Sequence, residues 1–277
     1  MKSIYALSRD ELFAQSRIPL RAIPDMDSCY REIAREMIDA IRSRQGERIV
    51  FIVPVGPVGH YPYFVDTVNR ERISLKNVWF FNMDEYLNDD GTMIDEKNPL
   101  SFVGFMNKNV YSKIDPDLVM PESQRFFPTI GQEKKLTDTL EKLGGADICI
   151  GSSGINGHIA FNEPPEPGDE ISDEAFTNLP TRQLAIARET ITINASRMLG
   201  GSFDLMPRRC MTIGMREILA SKVIKLYYFR EWQWAILRKA LLEEPTRKVP
   251  ASFLQRHPNA EIIATDALLD PMDFFIP

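Results

Sequence analysis

Five short, nearly continuous apolar runs set the tightest limit on how this chain can fold: RIVFIV at 48–53, NVWFFN at 77–82, ADICI at 146–150, VIKLYYF at 223–229 and AEIIATD at 260–266. A strand with one wet face alternates apolar and polar residues, whereas a run without alternation fits a strand buried on both faces. Segments with helical spacing lie between the runs. CYREIAREMIDAI at 29–41 follows Asp27 and Ser28 as predicted caps, and SFVGFMNKNVYSKI at 101–114 reads as a helix. KKLTDTLEKLG is stopped by Gly144 and Gly145, and EWQWAILRKALLEE at 231–244 is a further helix. The alternation predicts one doubly wound α/β domain over residues 1–277, a mainly parallel sheet with helices on both faces. The Pro/Asp/Glu-rich segment 164–180 is expected to be a surface loop or lid.

In sheets of this kind ligands bind beyond the carboxyl ends of the strands. Three loops there carry the informative residues. Gly151, Gly154 and Gly157 recur at every third position, more glycine than a reversal of direction needs and suited to backbone lying close to a ligand. Within the same loop His158 precedes Glu163 by five residues, a group that titrates near neutral pH beside a carboxylate able to orient it. Asp84 and Glu85 end the second apolar run; a desolvated carboxylate there suits a general base, while a helix cap or an arginine partner is the structural alternative. Gly56 and Gly59 could present backbone N–H groups to an anion, although the loop lacks the lysine and hydroxyl of a P-loop. Arg197 could clamp a phosphate or carboxylate. Trp232 and Trp234 read as packing residues.

Composition excludes several classes. Net charge is −6 with no long Lys/Arg run, so no nucleic-acid partner is expected. Cys29, Cys149 and Cys210 are scattered and odd in number, and with three histidines neither a disulfide framework nor a metal centre is expected. The first residues are too polar for a signal peptide and no run approaches membrane-spanning length, so a cytoplasmic protein is predicted.

FNMDEY at 81–86 and GHIAFNEP at 157–164, in that order and at that separation, resemble the glucosamine-6-phosphate deaminase (isomerase) family, and the resemblance runs from about Arg48 to the last apolar run. It implies a Rossmann-like fold shared with the 6-phosphogluconolactonases, which usually lack the Asn-Glu-Pro ending. It also implies aldose–ketose isomerisation of an amino sugar phosphate with ammonia release, no metal or organic cofactor, and a homo-oligomer. By resemblance Asp84 matches the base that moves a proton between C1 and C2. His158 matches the group that assists opening of the pyranose ring, Glu163 a carboxylate that tunes it, and Arg197 a phosphate arginine.

The chain departs from the family pattern in two places. Asn156 stands where the family has an aspartate two residues before the histidine; an amide can hold an imidazole but cannot balance its cationic form, so ring opening is expected to be blunted. The first loop reads PVGPVG, with Val55 and Val58 near hydroxyl positions and Pro57 without an N–H donor. A family lysine falls near Trp234, and a basic pair near Gln183 and Ala185. Either Arg182, Arg188 or Arg230 supplies the missing charge, or the ligand is a different sugar derivative. Besides the deaminase, a lactonase and a non-catalytic sugar-binding protein on the same fold remain open readings.

Overall fold

The computed structural model describes residues 3–44 and 46–272. Its strands are β1 (Leu20–Ile23), β2 (Ile49–Val53), β3 (Val78–Asn82), β4 (Asp84–Leu87), β5 (Arg125–Phe126), β6 (Ile148–Gly151), β7 (Arg182–Ala185), β8 (Arg209–Thr212), β9 (Val223–Tyr228) and β10 (Ala260–Thr265). Seven of them form one sheet in the order β1-β10-β9-β6-β2-β3-β5, with every neighbouring pair parallel. All five predicted runs are strands of this sheet.

The five residues of β2, all buried, show why the run has no alternation. Val50 and Ile52 enter the core cluster that holds Leu136, Ile218 and Leu237, while Ile49, Phe51 and Val53 enter the cluster that holds Ile33, Phe64 and Met106. The helices Met26–Ser43, Tyr61–Arg70 and Phe102–Asn109 therefore cover one face, and Glu133–Lys142, Met215–Leu219 and Trp234–Leu242 the other. Both faces of every central strand need apolar side chains, and the doubly wound prediction holds for that reason.

Local signals shifted some boundaries. The long helix starts at Met26 because Asp25, not Asp27 or Ser28, accepts the Ser28 N–H at 2.7 Å. The helix predicted over 101–114 ends at Asn109 and continues only as a short 3₁₀ turn at Tyr111–Lys113. Gly144 and Gly145 do stop their helix, at φ +83° and +79°. Segment 164–180 is mostly loop but contains the short helix Asp173–Thr177.

A second, antiparallel sheet of β4-β8-β7 was not visible in the sequence. Its four-residue strands carry polar and apolar residues in no repeating pattern. Only Met83 separates β3 from β4, and its backbone bridges the two sheets, donating to Val53 O at 3.0 Å and accepting from Ile213 N at 2.7 Å. The chain thus leaves the parallel sheet at Asn82 and turns Asp84 and Glu85 into a new environment.

Strand order reverses between β2 and β6: from β2 the chain runs outward to β3, and from β6 outward through β9 to β10. The loops after β2 and β6 therefore part at this point and leave a crevice. No helix among the described residues is long and apolar enough to cross a membrane.

Candidate active site

The crevice is a cleft lined by loop 54–57, the start of β4, loop 152–161, helix Arg188–Met198 and segment 229–233. Asp84, His158 and Arg197 all face it.

Two adjacent carboxylates have different jobs. Glu85 is buried and accepts four hydrogen bonds, from the backbone N–H groups of Tyr86 (2.8 Å), Phe102 (2.9 Å) and Val103 (2.8 Å) and from Ser101 Oγ (2.9 Å). It thereby caps the helix Phe102–Asn109 at its positive end. Burial pushes its carboxyl above the ordinary value, and the four donors hold the rise back. Glu85→Gln puts an NH₂ group against N–H donors, so a loss of about 2–4 kcal/mol is expected. A thermal midpoint equal to wild type would show that this cap is dispensable.

Asp84 has no such partners. It is 7% exposed, lines the cleft and makes no side-chain hydrogen bond or ion pair with the described residues. Burial first, then the neighbouring Glu85 charge, push its pKa well above the ordinary carboxylate range. A carboxylate that is dehydrated and unpaired binds a proton strongly, the property a carbon acid's base requires.

Loop 151–163 builds a second titratable group. His158 Nδ1 lies 2.9 Å from Asn156 Oδ1 and 3.0 Å from Glu163 Oε2, with Thr190 Oγ1 at 3.4 Å. Asn156 Nδ2 donates to the same Glu163 oxygen at 2.7 Å. Two acceptor oxygens facing Nδ1 assign the proton to that nitrogen, which leaves the Nε2 lone pair for the cleft. Burial favours a neutral Glu163, but the His158 charge and hydrogen bonds from His158, Asn156 and Thr190 hold its pKa below the ordinary value. Asn156 is thus more than a weakened aspartate, because its N–H₂ satisfies Glu163 in a way no carboxylate can.

Four glycines serve different ends. Gly56 and Gly154 line the cleft, and a Cβ on Gly154 would overlap the His158 ring. Gly59 and Gly157 do not line it. Gly59 leaves room for the Tyr30 ring, and Gly157, at φ +92°, turns the backbone beneath Val249.

Of the three arginines named as candidates for a second positive charge, only Arg230 lines the cleft. Arg230, two residues after the end of β9, lines the cleft with Arg197, whose guanidinium also lies over the Trp232 ring at 5.9 Å. Neither arginine has a carboxylate partner among the described residues. Burial, then the like charge of Arg230, bring Arg197 down to about 10, and burial also lowers Arg230. Two dehydrated cations that repel each other favour an anion between them. Arg182 instead lines a separate cavity beneath 164–171 and donates to Asn162 Oδ1 at 2.8 Å, and Arg188 does not line the cleft. The tryptophans divide: Trp234 is in the core and Trp232 is at the cleft. The signal for Arg230 was its position just after an apolar run.

No group of three or more His, Cys, Asp or Glu placed to hold a metal occurs among the described residues.

No family model matches the chain. A solved structure of a monomeric glucosamine-6-phosphate deaminase superposes with a TM-score of 0.77 at 24% identity, covering 91% of this chain and 98% of that one. The 6-phosphogluconolactonase of Thermotoga maritima gives 0.61 at 13% identity over 89% and 98%. Both share the Rossmann-like fold. Among sequences, glucosamine-6-phosphate deaminase 2 of Bacillus subtilis is 32% identical over 213 residues, 75% of this chain and 79% of that protein. Glucosamine-6-phosphate deaminase of a Geobacillus species is 30% identical over 250 residues, 86% of this chain and 92% of that protein. With similarity of that extent lying over the strand-end loops described above, the chain belongs to the glucosamine-6-phosphate deaminase family.

Proposed function

We propose that the chain, acting as one catalytic domain, converts an amino sugar phosphate of the glucosamine 6-phosphate type into the corresponding ketose phosphate and ammonia. The observation that carries this reading is the convergence, in one cleft, of a dehydrated Asp84, a tethered His158 and two arginines, with Asp84 and both arginines unpaired among the described residues.

The steps follow from the groups present. His158 Nε2 takes the proton of the C1 hydroxyl and delivers it to the ring oxygen, so that the C1–O5 bond breaks and the open-chain aldehyde forms. Asn156 and Glu163 hold the imidazole in the tautomer this needs, and Glu163 offsets the charge as it develops. Asp84 then removes the C2 proton; the electron pair forms the C1–C2 double bond, and the aldehyde oxygen takes a proton from the substrate's C2 ammonium, which becomes the neutral amine. Returning the proton from Asp84 to C1 leaves a C2 iminium, which water hydrolyses to the ketone and ammonia. Arg197 and Arg230 hold the phosphate throughout, fixing C1 and C2 between acid and base. Gly56 and Gly154 let backbone approach the sugar.

A lactonase would leave Asp84 without a task, and its burial uncompensated. Ammonia and ketose appearing from glucosamine 6-phosphate, with galactosamine 6-phosphate and unphosphorylated glucosamine alongside, tests the proposal. Absence of ammonia from all of them, in protein shown to be folded, would overturn it.

Restoring the family residue at position 156 is expected to disturb the His158–Glu163 pair rather than to strengthen it. Asn156→Asp sets a second carboxylate beside Glu163 Oε2 in place of the N–H donor now at 2.7 Å. Two carboxylates that close share a proton, so the group takes up one more proton near neutrality. The acid limb of the kcat/KM pH profile is expected to move up by about 1 pH unit or more. A superimposable profile would show that Asn156 serves only as a spacer.

A further inference from the structure

The anion site of two arginines lacks a neutral donor from the places where the sequence would put one. Val55 and Val58 have no hydroxyl and Pro57 no N–H. The hydroxyls on the cleft wall each already have a partner, although that of Tyr86 accepts rather than donates. Ser152 Oγ donates to Tyr227 O at 2.6 Å, Ser153 Oγ to Gly154 O at 3.3 Å, Thr190 faces His158, and the Tyr86 hydroxyl accepts from Asn194 at 3.4 Å.

Tyr30 stands just behind the cleft lining, packed against Phe229, which is part of it. It stands near the start of helix Met26–Ser43, half-buried, with its ring against the backbone of Gly59, where a Cβ would overlap Cδ2, Cε2 and Cζ. The ring meets Phe229 edge-on, with centroids 5.3 Å apart and planes at 67°, and Phe229 and Arg230 both line the cleft. Its hydroxyl has no hydrogen-bond partner among the described residues. Burial raises the phenol, and the Arg230 and Arg197 charges pull it back.

We propose that Tyr30 donates its hydroxyl to the anionic group of the substrate beside Arg197 and Arg230, in the role that Val55 and Val58 cannot fill. This rests on reading the arginine pair as a phosphate site. Phosphate presents more acceptor positions than two guanidiniums occupy, and a hydroxyl rotates to whichever remains. Gly59 and Tyr30 are then one device, the missing side chain making space for the ring that carries the donor.

Tyr30→Phe removes the hydroxyl and keeps the packed ring, so its thermal midpoint should equal that of wild type. Binding of inorganic phosphate, measured by calorimetry on the full chain, is expected to weaken about tenfold or more. KM for glucosamine 6-phosphate should rise by a similar factor, with kcat moving less. Gly59→Ala, which displaces the ring, should weaken phosphate in the same direction. Phosphate affinity unchanged in Tyr30→Phe but lost in Arg230→Gln would overturn the proposal and leave Tyr30 a packing residue; so would wild-type protein that binds no phosphate. Phosphate binding that weakens in Tyr30→Phe, in a protein that releases no ammonia, would sustain Tyr30 and sink the deaminase reading instead.

Discussion

Asp84→Asn is expected to lower kcat by about 10²–10⁴-fold while making the protein more stable at neutral pH. The kinetic part follows from the loss of the only unpaired carboxylate that lines the cleft among the described residues. An amide of the same shape can still contact the sugar but cannot accept the C2 proton. The stability part follows from linkage. Asp84 titrates above its unfolded value, so the native state holds the proton more tightly than the unfolded chain. Its contribution favours the fold below the unfolded pKa and turns increasingly unfavourable as pH rises toward the raised folded value. Asparagine carries no charge at any pH and escapes that penalty. Thermal melts at pH 5 and pH 8 are expected to show a gain for the variant that is larger at pH 8, at about 2–4 °C per kcal/mol. A variant that loses turnover and is also less stable at pH 8 would show that Asp84 has a structural partner rather than a chemical task.

The second large effect belongs to the arginine pair. Arg197→Gln is expected to raise KM for the phosphorylated sugar by about 10–100-fold, the range for hydrogen bonds to a charged group. Arg230→Gln should behave alike, although this arginine comes from a different strand end. Because burial and mutual repulsion already weaken the hold of Arg197 on its proton, removing either cation relieves the other. The apo protein should therefore melt no lower in either variant, and the stabilisation that wild type gains from added phosphate should shrink. Equal KM values for wild type and Arg230→Gln would remove Arg230 from the site. Equal KM values for sugars with and without the phosphate would remove the anion from the substrate.

The two chemical motifs were legible because each is local. Asp84 follows its strand by two residues, and His158, Asn156 and Glu163 occupy a single loop, so chain connectivity alone brings them near a strand end. The same holds for the main sheet, since a strand buried on both faces must be apolar throughout and announces itself as a run. The division of labour between Asp84 and Glu85 was not legible. They are neighbours of identical charge type, and only the approach of the Phe102–Asn109 amino end decides which one is capped.

The sequence by itself determined the doubly wound parallel sheet and which candidate residues its strand-end loops carry. Each of those follows from hydrophobic period or from residues close together along the chain. Tertiary structure alone decided the antiparallel sheet of four-residue strands, the pairing of Arg230 with Arg197, and the meeting of Tyr30 with Gly59 and Phe229. These depend on which strands lie side by side, and strand order is set by packing of the whole core, for which a single segment carries no signal.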